Sequence, residues 1–355
     1  MLRRLPLSAR RAFRLALAAG LATFVVYAAA IPVGFLAIVV TLVLASAPGP
    51  PPGLKAAIML VAVIAVTMLY GMLLGPVLTY VPVAGVLLAL LGVAVAAVVS
   101  SRPGGMLIGT LVTMSTTVVA VVAAQSSAAG VAIVKVVAMA FVGAIVAAQV
   151  VHAVFPEDPP KPSAATAAPA RPVASRWIAL RSALIMLPPL IAALVDPASY
   201  IMLLMKGSQL SQQASEVSAR RAAGVLVSST AMGGAVAMGL WWLLGLWPGL
   251  TMLTLSLMLA VLLMARPMYG VVPSRFPPDW WLNAMITAVI LLGPAVGDSG
   301  TGDDIQLKML IRLATFIALA LYAALAVHAF DRWRSRGLPR RRQAASGQGP
   351  GRLVG

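Results

Sequence analysis

Apolar runs of about 20 residues, each long enough to cross a hydrocarbon core roughly 30 Å thick, recur along the whole chain. Nothing else constrains the fold as much. That core holds no water, so every backbone N–H and C=O must be paired within the segment, and runs of this length become helices. In the first half the runs fall at 12–30, 33–47, 55–75, 83–99, 106–124 and 131–154, and in the second at 177–195, 198–210, 221–245, 249–265, 281–294 and 308–330. Hydrophobic residues are 61% of the 355 and charged residues 10%, against about 45–50% and 25% in a soluble domain. The sequence predicts an all-α polytopic membrane protein with about 12 membrane segments. The segments at 33–47 and 198–210 are short, and the second carries Lys206, Ser208, Gln209 and Ser211. Both are candidates for half-helices or re-entrant elements.

The charge balance, 26 basic against 9 acidic residues, gives +17. Arg3, Arg4, Arg10, Arg11 and Arg14 open the chain, Lys55 and Arg102 stand at alternate loops, and Lys161, Arg171 and Arg176 lie between the halves. Lys206, Arg220, Arg221, Arg266 and Arg275 continue the series, and the end carries Arg332, Arg334, Arg336, Arg340, Arg341, Arg342 and Arg352. The opposite loops hold Asp196, Asp298, Asp303 and Asp304, with Lys308 as the one basic residue. By the positive-inside rule both termini and the linker are expected in the cytoplasm. Attraction to anionic headgroups accounts for the basic tail without nucleic acid as a partner.

With no cysteine and two histidines, the chain has neither thiolate sites nor a multi-histidine centre, and no metal or cofactor is expected. No GxxxxGK[ST] run is present, so it carries no ATPase of this type.

The halves repeat. Arg14-Leu15-Ala16-Leu17 returns as Arg181-Ser182-Ala183-Leu184, Pro32 with Phe35 as Pro197 with Tyr200, and Lys55-Ala56-Ala57 as Arg221-Ala222-Ala223. Arg102-Pro103 returns as Arg266-Pro267, and His152-Ala153 with Phe155 as His328-Ala329-Phe330. The first segment has a counterpart, so it is expected to be retained rather than cleaved as a signal peptide. The organisation is a six-span repeat over 1–155, a Pro/Ala-rich linker over 156–175, a second repeat over 176–331 and a basic tail over 332–355. An even number of spans gives parallel repeats, which in transporters place the substrate near the midplane between the halves.

Ionisable residues within a membrane segment are costly, and each is a candidate for function. Lys135 and Arg312 lie about four residues into the sixth and twelfth segments at near-equivalent positions (312 − 135 = 177). Packed centrally, they would present two cations to a carboxylate or sulfonate. The competing reading is that they snorkel to the headgroups from a depth of about 6 Å. Arg14 and Arg181, equivalent at inner ends, are interface anchors or an anion entrance. His152 and His328 carry the side chain suited to proton coupling near neutral pH, and Asp196 is the nearest carboxylate to any span. Thr113 and Thr116 in the fifth segment, with Thr110, Ser115 and Thr117, line a passage or serve close packing. The same choice holds for Ser229, with Ser228 and Thr230, and for Asn283 with Thr287. Gly297-Asp298-Ser299-Gly300 copies a protease tetrapeptide, but no histidine lies on that side, and a solvated turn is expected.

An Arg followed by Ala/Leu at the start of each half, a Pro and an aromatic opening the second span, and Arg221 with Gly224 opening the third resemble the fusaric acid resistance and aromatic acid exporter family. The duplicated six-span layout extends the resemblance over nearly the whole chain. It implies a bacterial inner-membrane exporter of small aromatic or other weak organic acids, driven by the proton gradient. It also implies a periplasmic membrane-fusion adaptor and an outer-membrane channel as partners. Many members carry a large cytoplasmic domain between the halves, so the short linker here resembles a shorter branch. The remaining expected partners are membrane lipids, the organic anion and further copies of the chain as a homo-oligomer. The alternatives are a passive anion channel using the same cations and a membrane scaffold in envelope-lipid assembly.

Overall fold

The computed structural model describes residues 5–47, 49, 53–102, 105–157, 175–213, 219–300 and 304–337. Most of the linker, Asp303 and the basic tail beyond 337 lie outside these residues. The first half comprises α1 (Leu7–Ala28), α2 (Phe35–Ser46), α3 (Leu54–Tyr80), α4 (Pro82–Ser100), α5 and α6 (Ser127–Val154). Helix α5 runs through Met106–Met114, a π-helical turn Ser115–Val119 and Ala120–Gln125. The second half comprises α7 (Ser175–Val195), α8 (Pro197–Gln213), α9 (Ala219–Leu246), α10 (Leu250–Met268), α11 (Pro278–Gly297) and α12 (Ile305–Gly337). Ten of these are long and apolar enough to cross a membrane. The chain is an all-α polytopic membrane protein. Its outer surface is apolar, with Ile58, Met59, Val66, Leu69 and Leu73 exposed on α3 and Leu87, Leu91 and Val95 on α4. Apolar surface of this extent calls for lipid. Tyr80, Trp242 and Trp247 are exposed near helix ends, where amphipathic rings settle at the water interface.

Helix α2 has 12 residues, about 18 Å at 1.5 Å per residue, yet the chain does not turn back within it. It starts beside the C-terminal end of α1, where the Ile31 N–H donates to the Val26 carbonyl. It finishes at the opposite end, where the Ser46 carbonyl accepts from the Tyr269 hydroxyl just beyond α10. Gly49 then meets His152 in the last turn of α6. The helix therefore joins opposite ends of the bundle, so the re-entrant expectation does not hold for α2.

The packing is the same under exchange of the halves. Helix α1 lies along α10, and its counterpart α7 lies along α4. Helix α2 meets α11 as α8 meets α5, and within each half α2–α6 corresponds to α8–α12 and α3–α5 to α9–α11. Two seams, α1/α10 and α4/α7, therefore join the halves around α2, α5, α8 and α11. Small side chains build the first seam: α1 buries Ala12, Ala16, Ala18, Ala19, Gly20 and Ala22, and Gly20 abuts Met258 of α10. Helix α11 is buried at every residue from Leu282 to Gly293, the polar Asn283 and Thr287 included.

In the first half α3 crosses closely over the π-helical turn of α5. The Ser115 hydroxyl donates to the Thr67 carbonyl. A Cβ on Gly71 would stand 2.4 Å from the Ser115 carbonyl oxygen, and one on Gly75 would stand 2.7 Å from Ala123 Cβ. Backbone cannot yield as a flexible side chain does, so Gly71→Val is expected to cost about 1–3 kcal/mol or more. Gly143, with nothing within 4 Å of its Cβ position, is the control. Thermal unfolding in detergent should show a lowered midpoint for Gly71→Val and an unchanged one for Gly143→Val; equal midpoints would contradict this packing.

Candidate functional site

The four helices at the centre enclose a cavity of about 70 Å³. Leu36, Val40 and Val43 of α2, Thr110 and Met114 of α5, Met205, Ser208 and Gln209 of α8, and Leu282, Ile286 and Ile290 of α11 contribute to its wall. The lining is apolar except for Thr110, Ser208 and Gln209. Its volume is far below the roughly 300–1,000 Å³ of a ligand pocket, so the centre is narrow in this conformation. A second cavity, of about 370 Å³, opens along the same seam between Tyr27 of α1, Trp241 of α9, Leu250 and Leu253 of α10 and Val296 of α11. Tyr27 is thirteen residues beyond Arg14 on α1 (27 − 14 = 13), about 20 Å along the helix. This cavity therefore lies toward the end of the bundle remote from the N-terminal arginines.

Beside the central cavity lies Lys206, 0% exposed. It stands nine residues into α8 (206 − 197 = 9), about 14 Å from its start. Its Nζ donates to Asn283 Oδ1 at 2.8 Å and to Thr287 Oγ1 at 2.5 Å. The network continues as Thr287 Oγ1 donates to the Asn283 carbonyl at 2.6 Å and Asn283 Nδ2 donates to Ser229 Oγ at 2.6 Å. Met205 and Ser208 on α8, and Leu282 and Ile286 on α11, face the cavity from positions adjacent to this network. Among the described residues no carboxylate pairs with Lys206. A buried ammonium held only by neutral dipoles is an incomplete arrangement, because an isolated charge in such surroundings is expensive.

The repeat is broken at this position. With the offset of 165 between Pro32 and Pro197, Lys206 corresponds to Thr41 (206 − 165 = 41), which is buried and turns its hydroxyl to the Ala37 carbonyl at 2.7 Å. In sequence, Lys206 stands out as a lysine within the run Ile201–Leu210. Counting it as a loop charge in the positive-inside series concealed it, and the structure corrects that: it is an interior residue of α8.

The central pair expected of Lys135 and Arg312 does not form. Lys135 is exposed on α6 in the stripe Val131, Met139, Val142 and Val146, all exposed; spaced at three and four residues, these share one lipid-facing face. Lys135 has the position of a snorkelling side chain. Arg312 Nη2 pairs with Asp298 Oδ2 at 3.2 Å, fastening α12 to the short 3₁₀ turn Asp298–Gly300. The tetrapeptide at 297–300 thus serves as a tied turn. Neither cation lines the central cavity.

Ser229 belongs to the Lys206 network. Thr113 and Thr116 are buried but turn inward along α5, to the Gly109 and Thr113 carbonyls; the cavity takes Thr110 instead. Asp196 Oδ1 accepts from the Ser199 N–H at 3.3 Å, capping the start of α8. His152 places its ring nitrogens 2.7 and 3.1 Å from the Ala148 and Gly49 carbonyls, and His328 is exposed on α12. The structure does not bring the two histidines and Asp196 into one relay. Arg181 is half-buried near the start of α7, beside Ser182, whose hydroxyl donates to the Ser211 carbonyl. Arg14 is 1% exposed and pairs with Glu157, a carboxylate just past α6.

If the Lys206 ammonium lacks an internal counter-charge, replacing it with an unbranched apolar side chain should not destabilise the bundle. Lys206→Met is expected to be neutral or up to about 2 kcal/mol more stable, read as an unchanged or raised unfolding midpoint. A midpoint lowered as far as that of Lys206→Ala would mean that the ammonium holds the fold together.

Residues 11–151, running from α1 to near the end of α6, match the model of the family DUF2955, described as a protein of unknown function. No curated protein and no solved structure matches the chain.

Proposed function

We propose that the protein is a secondary exporter of small organic anions, carboxylates with an aromatic or apolar body, whose halves rock about the central cavity. The observation that carries this reading is Lys206: an ammonium midway along α8, beside a mostly apolar cavity between the halves, without a carboxylate partner among the described residues. An organic acid anion supplies what that site lacks, a negative charge for the ammonium and an apolar body for the wall. The cavity bounded by Tyr27 and Trp241 suits an aromatic ring on the way out. Parallel repeats around a midplane site are an arrangement that alternating access uses. In this reading the membrane is the bacterial inner membrane, the arginine-rich end of the bundle is cytoplasmic, and export draws on the proton gradient. A periplasmic adaptor and an outer-membrane channel carry the anion onward.

Proteoliposomes loaded with benzoate test the reading. Efflux should accelerate with an imposed pH gradient and fall at least tenfold in Lys206→Met, whereas Lys135→Met should behave as the parent. Flux that ignores the gradient and runs equally in both directions would point to a passive channel; no flux in the parent would remove transport of this substrate altogether.

A further inference from the structure

Arg14 carries five N–H donors, one on Nε and two on each terminal nitrogen. Nη1 donates to Glu157 Oε2 at 2.6 Å. Nε and Nη2 are buried and have no hydrogen-bond partner among the described residues. Three N–H groups, one on Nε and two on Nη2, thus point into protein without an acceptor. Buried donors are nearly always satisfied, so three on one guanidinium imply that an acceptor belongs there.

The surroundings show its charge. Glu157 is shared, its Oε1 accepting from Arg11 Nε at 2.8 Å and from Arg11 Nη2. One carboxylate therefore faces two guanidiniums, and a third, Arg10, is held close by through its Nη1 on the Pro156 carbonyl at 2.8 Å. Burial pushes the Glu157 carboxyl up, but hydrogen bonds from Arg11 and Arg14 and their charges outweigh this and hold it below the usual carboxylate range. Glu157 is thus a bound anion at neutral pH, and among the described residues it is one carboxylate for the two guanidiniums of Arg11 and Arg14. It sits on the non-helical segment after α6, so it can withdraw without unpacking a helix. Arg11 and Arg14 stand on α1, which lies along α10 of the other half. This places the cluster at the α1/α10 seam.

We infer that Arg11 and Arg14 form a carboxylate-binding site at the arginine-rich end of the seam, with Glu157 as its resident ligand, and that an incoming organic carboxylate takes Glu157's place. The site rests on the exporter reading for its physiological ligand, though not for its existence. A planar carboxylate suits it because guanidinium donors bind such groups in pairs. Glu157 then keeps the arginines from holding cytoplasmic anions indiscriminately, and the substrate must outcompete it.

Titration calorimetry of benzoate into the full-length protein in detergent at pH 7.5 tests this. Glu157→Gln removes the competing charge and should tighten benzoate binding about tenfold, and Arg14→Gln added to that variant should abolish the gain. Benzamide, the neutral analogue, should gain nothing. If Glu157→Gln unfolds, Glu157→Asp decides: it keeps the charge but shortens the reach, and should tighten binding about threefold. No tightening in the folded variant, or tightening that survives Arg14→Gln, would overturn the site. Tightened binding in a protein that moves no benzoate would keep the site and remove the exporter reading. Benzoate flux without tightening would do the reverse.

Discussion

Inside the hydrocarbon layer a polar group has no water as a partner, so each one must be matched by protein or by something that enters. In this bundle most hydroxyls are matched locally: Thr23, Thr41, Thr113 and Thr117 each return a hydrogen bond to a carbonyl four residues earlier. Lys206 and Arg14 are among the cationic groups that are not matched so completely. Lys206 has neutral partners and no carboxylate among the described residues. Arg14 has, among the described residues, one carboxylate and three N–H groups without an acceptor. Both sit on helices that form the junction between the halves, where a solute crossing the protein would travel.

The junction is asymmetric although the packing around it repeats. Thr41 closes its hydroxyl onto its own helix where Lys206 extends to Asn283 and Thr287. A single ammonium near the centre supplies charge for one anion without the mutual repulsion of two. The narrow central cavity and the wider one near Tyr27 put the larger void at the end of the seam far from Arg14. A carboxylate taken up at the arginines, passed to Lys206 and released past Tyr27 and Trp241 would meet a positive group first and an apolar, aromatic vestibule last.

Much of this architecture was legible in the sequence, because apolar length and the side on which arginines fall are direct consequences of the bilayer. The paired landmarks at Arg14 and Arg181 and at Pro32 and Pro197 located helices that pack in equivalent ways. The site was less legible. Depth alone does not say which way a side chain points, so Lys135 is open in sequence to a central or a snorkelling reading, and it lies on the lipid-facing stripe of α6. Lys206 was masked by the sheer number of topological charges. Glu157 lies in a Pro-rich stretch that reads as linker, and only tertiary structure carries it back to α1. Helix α2 looked too short to cross because 12 helical residues span only about 18 Å, and only the contacts at its two ends show that it joins opposite ends of the bundle.

The central claim is that the halves expose one cavity alternately to the two sides, and a chain without cysteine allows this to be measured directly. Ser208→Cys places a thiol on the cavity wall, and a membrane-impermeant maleimide is applied from either side of oriented vesicles, with and without benzoate and with the pH gradient in each direction. The account predicts labelling from one side at a time, with benzoate and the gradient changing which side. Labelling from both sides at once under a single condition, or from neither under any, would contradict it.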